Sequence, residues 1–162
     1  MSHFLRALCF VAALSGPAMA QQADIRFGGL QQDTTLPVEV TSDSLSVDQA
    51  SGAALFTGNV TAQQGDMRLT AGTIRVEYAE GSQSIDKLIA SGGVTLVSPT
   101  DAAEAAEAVY TIATGNVVMT GDVLLTQGRA AISGEMLTVN LTDGTGTMTG
   151  RVRTIFTPGG AP

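Results

Sequence analysis

The stretch "ATGNVVMTGDVLLTQG", residues 113–128, decides the fold. Val117, Met119, Val123 and Leu125 share one parity, while Thr120 and Asp122 fall on the other, which is the period-two pattern of a half-buried strand. Gly121 stands on the apolar parity, inside the strand rather than at its end. Working outward, the same small-Gly-x-Val signature recurs as "TGNV" at 57–60, "SGGV" at 91–94 and "TGRV" at 149–152. The glycines at 58, 92, 121 and 150 are separated by 34, 29 and 29 residues, and three of them have a second glycine six positions earlier, at 52, 115 and 144. Apolar pairs precede three of the copies: Leu45 and Val47, Ala108 and Tyr110, Leu137 and Val139. The spacing predicts about four copies of a two-strand unit, a regular stack of antiparallel hairpins.

Composition agrees with one domain. Of 162 residues, 44% are hydrophobic and only 14% charged, so the net charge of −7 does not indicate a disordered acidic chain. The first twenty residues read as a cleaved secretory signal: Arg6, the short apolar run "ALCFVAALSG" and the small residues of "AMA" at 18–20. A cut after Ala20 predicts a soluble exported protein, and it removes Cys9, His3 and Arg6. An uncleaved anchor would instead make a membrane-tethered protein, a reading that N-terminal sequencing separates from the first. The expected organisation is a signal at 1–20, a polar lead at 21–35, a β domain at 36–157 and a tail at 158–162.

The subtraction excludes several chemistries. Without histidine or cysteine, no nucleophile–imidazole pair and no thiolate site can form in the mature chain. Asp43, Asp48 and Asp143 border strands and turns without the ligand density of a calcium loop, so no metal is expected. "GTGTMTG" at 144–150 has no following helix to bind a dinucleotide, and no cofactor is expected. Seven basic residues, eight less Arg6, against fifteen acidic ones make nucleic acid a poor partner. A noncatalytic role follows.

One segment is ambiguous. "TDAAEAAEAVYTIA" at 100–113 is helical by propensity alone, but its place in the repeat puts Tyr110 where Val47 and Val139 fall, and the strand reading is taken. The inward face then collects Phe56, Val60, Leu88, Leu96, Val117, Val123, Leu125 and Val139, an aliphatic surface suited to acyl chains and also to an ordinary β core. Gly58, Gly92, Gly121 and Gly150 either let long strands coil or leave a row of notches for a ligand.

The run "TSDSLSVDQASGAALFTGNVTAQQG" at 41–65, continued by "LTAGTIRVEY" (69–78), "AEAVYTIATGNVVMTGDVLLTQG" (106–128) and "ISGEMLTVNL" (132–141), resembles the OstA-like family of periplasmic lipopolysaccharide-transport bridge proteins. The resemblance implies a curved, half-open antiparallel β-jelly roll with an apolar groove. It also implies a periplasmic location, shielding of lipid A acyl chains, and partnership with an inner-membrane OstA-like protein and an outer-membrane lipopolysaccharide translocon. Head-to-tail stacking of copies is implied as well. Carried over by position, the lipid-facing residues are Thr34, Val38, Leu96, Tyr110 and Ile112. A self-assembling β-repeat scaffold without ligand is the remaining alternative, which lipid extraction of purified protein separates from a carrier. A half-open sheet must end in unpaired edges. The sequence places these at "LPVEV" (36–40), with Val38 and Val40, and at "TMTGRVRTIF" (147–156), with Val152 and Ile155.

Overall fold

The computed structural model describes the backbone of residues 23–26 and the whole of residues 30–158; the expected signal at 1–20 and the end of the tail lie outside the described residues. The described chain forms eleven strands: β1 (Ala23–Arg26), β2 (Glu39–Thr41), β3 (Ser44–Val47), β4 (Ala54–Gln64), β5 (Met67–Tyr78), β6 (Ile85–Val97), β7 (Asp101–Thr111), β8 (Asn116–Gln127), β9 (Ala130–Asn140), β10 (Thr145–Thr149) and β11 (Arg153–Phe156). A single 3-10 turn, Ile112–Thr114, joins β7 to β8. All pairings are antiparallel, in the order β1-β10-β9-β8-β7-β6-β5-β4-β2, with β3 also on β4 and β11 also on β9. The Ala/Glu-rich segment is strand β7, because Ala103, Ala108 and Tyr110 are buried and the segment pairs with a strand on either side.

Every second long strand, β4, β6 and β8, is broken at the repeated glycine. Between Thr57 and Val60, Ser91 and Val94, and Thr120 and Val123 the register shifts, two residues on one strand standing opposite one on its neighbour. Both residues of each bulge have positive φ: Gly58 +82° and Asn59 +46°, Gly92 +82° and Gly93 +81°, Gly121 +85° and Asp122 +48°. Gly150 at +81° and Arg151 at +45° do the same between β10 and β11. Two successive left-handed residues turn a strand sharply, and the first of them needs glycine. The second accepts Asn or Asp at small cost. Arg151 is the exception, and its guanidinium is held by Glu135 Oε1 at 2.9 and 3.1 Å.

The bend folds each long strand, β4 to β9, back over itself. Tyr110 sits in a cross-strand row with Leu88, Val76 and Ala54. In a flat sheet Ala54 and Gln64, ten residues apart on β4, would be about 33 Å apart. Yet Tyr110 Oη donates to Gln64 Oε1 at 2.8 Å. The first and second halves of the strands therefore form two facing jaws joined along the glycine corners. One jaw contributes the rows Phe56–Ile74–Ala90–Ala108–Met119–Leu137–Met148 and Ala54–Val76–Leu88–Tyr110–Val117–Val139. The other contributes Ala62–Leu69–Leu96–Ala103–Leu125–Ile132. Nearly all of these side chains are buried, and Phe56 is half-buried.

The glycines are corners, and the notch reading is corrected. A Cβ on Gly58, Gly121 or Gly150 would not enter the interior; it would strike Asp43 in the bend between β2 and β3, Ala106 of β7 or Glu135 of β9, all exposed residues. The second "TGNV", 114–117, has another role: Gly115 (φ +68°) closes the 3-10 turn, and Asn116 begins β8. Two further expectations change. The polar lead contains β1, which pairs with β10, and the expected 147–156 strand is divided at its own corner into β10 and β11.

Gly121→Ala should destabilise the protein by about 2–4 kcal/mol, since it combines left-handed strain with a Cβ placed 2.7 Å from Ala106 Cβ. Gly128→Ala, at a turn with positive φ but open space, should cost only about 1–2 kcal/mol in the same urea titration. Equal losses would show that the corner's close approach does not matter.

Candidate functional site: the apolar interior and its mouth

The interior is built from the small-and-branched rows just described, so its chemistry is aliphatic. Of the sequence-derived positions, Val60, Leu96, Tyr110, Val123, Leu125 and Val139 are buried in it. Phe56, Val38 and Ile112 are half-buried and pack against it, while Thr34 is half-buried at the mouth. Val40 on β2 and Val152 just before β11 also pack against the core, and Ile155 is exposed on β11. The residues suggested by parity and those implied by resemblance thus lie on one continuous inner surface, with Thr34 at its rim.

Little room is left inside. A cavity lined by Val38, Met67, Leu69, Leu96, Tyr110 and Val117, among others, holds only about 20 Å³. Its lining is apolar apart from Gln63, Gln64 and the Tyr110 hydroxyl. A wider depression between the turns near Gly52 and Gly81 is open and shallow, with backbone and polar side chains at its edge.

Sequence reasoning missed the polar groups at the mouth. Gln64 follows Val60 and Ala62 on the inward parity and is 2% exposed. Its Nε2 donates to Thr34 O at 3.1 Å and Leu36 O at 2.8 Å, and its Oε1 accepts from Tyr110. Tyr110 is itself 3% exposed, and burial pushes its phenol above its ordinary value, the bond to Gln64 opposing this in part. The phenol therefore remains a donor throughout the ordinary pH range. Asp101, on the inward parity of β7, is also buried; Thr100 Oγ1 donates to its Oδ2 at 3.1 Å, and its Oδ1 has no partner among the described residues. The available signal was a polar residue breaking an apolar parity at 64; at 101 there was none, because the inward positions of β7 switch from 101 and 103 to 108 and 110 across the bend.

The jaws are open at both ends of the sheet. Leu45 and Val47 of β3 pair with Phe56 and Ala54, so they belong to the inner face, yet they are 56% and 58% exposed. At the other end Phe156 pairs with Ala130, in line with inward Ile132, and is 74% exposed. No strand lies beyond β3 or β11 to cover them among the described residues.

An unclosed, two-jawed β-jelly roll with an aliphatic interior defines the class. Residues 39–145 match the family described as LptA/(LptD N-terminal domain) LPS transport protein. The chain belongs to this family of lipopolysaccharide transport proteins. It is 30% identical over 139 residues to an uncharacterized protein, R00383, of Rhizobium meliloti strain 1021, covering 81% of this chain and 75% of that one. It is also 30% identical over 112 residues to the lipopolysaccharide export system protein LptA of Escherichia coli K12, covering 65% of this chain and 60% of the relative. The fold is similar to that of LptH, the LptA-homologous periplasmic component of the lipopolysaccharide transport device of Pseudomonas aeruginosa. The TM-score is 0.70 at 17% identity, over 78% of this chain and 99% of that structure.

Tyr110→Phe leaves Gln64 Oε1 buried without its donor, and should lower unfolding free energy by about 1–3 kcal/mol. Chemical denaturation measures it; a neutral result would mean that this bond contributes nothing to closing the jaws.

Proposed function

We propose that the protein is a periplasmic, noncatalytic carrier that shields the acyl chains of lipopolysaccharide between its two jaws and passes them along a bridge from inner-membrane to outer-membrane components. The observation that carries this reading is the core running off both ends of the sheet. An ordinary β domain covers the inward residues of its terminal strands; here Leu45, Val47 and Phe156 are left exposed. Membership of the lipopolysaccharide transport family supports the choice of ligand.

The packed interior sets how tightly a lipid could be held. Burying one CH₂ is worth about 0.8 kcal/mol, so complete enclosure of several acyl chains would hold them too firmly for transfer. A cavity of about 20 Å³ has room for about one water molecule and is far too small for such a lipid. Admitting it requires the jaws to part, which gives up side-chain contacts and offsets part of the gain. A relay of similar sites needs this kind of moderated affinity.

Photocrosslinking amino acids at Val38, Tyr110 or Ile112 should capture lipopolysaccharide in periplasmic protein, whereas those at Thr57 or Thr120, on the outer parity, should not. Equal capture on both faces would refute an interior site. The exposed ends also fit a second jelly roll, whose terminal strand would extend the sheet and continue the apolar path. Proline at Val152 or at Arg153 should, for at least one of the two, reduce the stacked fraction in sedimentation while the circular dichroism of a β protein persists. Unchanged stacking in both folded variants would exclude β11 as the joining edge.

A further inference from the structure

The mouth between the jaws is crossed by residues 30–38. Leu30 is buried, the Gln32 N–H donates to Leu141 O at 2.8 Å, and Gln31 Nε2 donates to Thr142 O at 3.2 Å. These contacts tie the start of the strap to the turn after β9. Further along, Thr34 O and Leu36 O accept from Gln64, at the end of β4 in the opposite jaw. A Cβ on Gly65 would lie within 3.1 Å of both Gln32 and Leu36, and one on Gly115 would lie 3.5 Å from Thr34, so the strap touches both lips. Within it, Asp33 accepts from the Thr35 N–H and hydroxyl, which holds the carboxyl below its ordinary value and gives the strap a turn of its own.

Gln64 links three parts of the molecule at once. Both strap carbonyls accept from its Nε2, and its Oε1 accepts from Tyr110 of the facing jaw, so one buried amide fastens jaw, jaw and strap together. We propose that the strap is a displaceable gate over the apolar interior and that Gln64 is its latch. The inference rests on the carrier reading above. An acyl chain offers no hydrogen bond, so one entering beside Gln64 has to separate it from its partners; when the chain leaves, those buried partners draw the strap closed again. Thr34 and Val38, two of the expected lipid-contact positions, lie on the gate itself.

The test uses the mature protein and lipid A dispersed in mild detergent. Gln64→Leu and Tyr110→Phe should each speed amide hydrogen exchange of residues 32–38 about fivefold or more relative to amides of β8, because local opening no longer breaks the full latch. In a second arm, Leu36→Cys and Gly65→Cys, which face each other across the latch, are joined by a short reducible thiol linker. Lipid A uptake should fall by about tenfold or more when the linker is intact, a change of 1.4 kcal/mol or more if read as an equilibrium, and recover on reduction. Uptake by the linked protein at the parent rate would overturn the gate, as would unchanged strap exchange in both latch variants. Failure of the parent and every variant to take up lipid A would overturn the carrier reading and the gate with it, whereas uptake that ignores the linker overturns the gate alone.

Discussion

Everything in this molecule depends on a backbone constraint repeated at four corners: two consecutive residues with positive φ, three times within a strand and once between β10 and β11. The conformation is costly for most residues, and it is met by Gly-Asn, Gly-Gly, Gly-Asp and Gly-Arg. Because the corners lie side by side across the sheet, their bends add into one fold line. That line converts a ribbon of hairpins into two jaws whose inner faces come from the same strands. A valine follows each corner pair, and Val60, Val94 and Val123 are buried there. The small-Gly-x-Val signature is therefore the sequence of a fold-back, with one residue to bend, one to tolerate the bend and one to begin the next inner face.

An interior made in this way differs from a closed sandwich. Its length along the sheet is set by the number of hairpins, and nothing in the corner geometry seals the ends. The terminal strands consequently leave Leu45, Val47 and Phe156 in solvent, which is unfavourable for an isolated domain and useful for one that continues into another. The mouth opposite the fold line is treated differently. There the chain spends a buried glutamine, a buried tyrosine and a strap of irregular backbone to keep water from the aliphatic rows. The interior is thus open along its axis and closed laterally by the strap.

Much of this was legible from the residues, for physical reasons that differ by element. The period-two alternation of Val117, Met119, Val123 and Leu125 has one structural solution, and β7 was resolved against its own helical propensity because Tyr110 had to join the same inner row. The glycines were legible as bends, but parity placed them on the inner face, where coiling of the strand and a notch for a ligand both remained open. Parity assumes an uninterrupted pleat, and paired left-handed residues interrupt it. Leu45 and Val47 carried the same apolar-x-apolar pattern as Leu137 and Val139, yet the first pair is exposed and the second buried. The difference is position in the sheet, which no local pattern encodes. Gln64 was hidden for a related reason: its partners Thr34, Leu36 and Tyr110 are brought together only after the strand has folded back.

The central claim is that the two jaws must part to admit lipid. Because Cys9 is the sole cysteine of the sequence and lies within the expected signal, spin labels can be placed singly at Arg68→Cys and Lys87→Cys, on the outer parity of opposite jaws. Pulsed electron resonance would then read the distance between them with and without lipopolysaccharide. The account predicts a longer distance in the loaded protein, returning to the original value when lipid is removed. An unchanged distribution in protein shown to carry lipid between its jaws would contradict it.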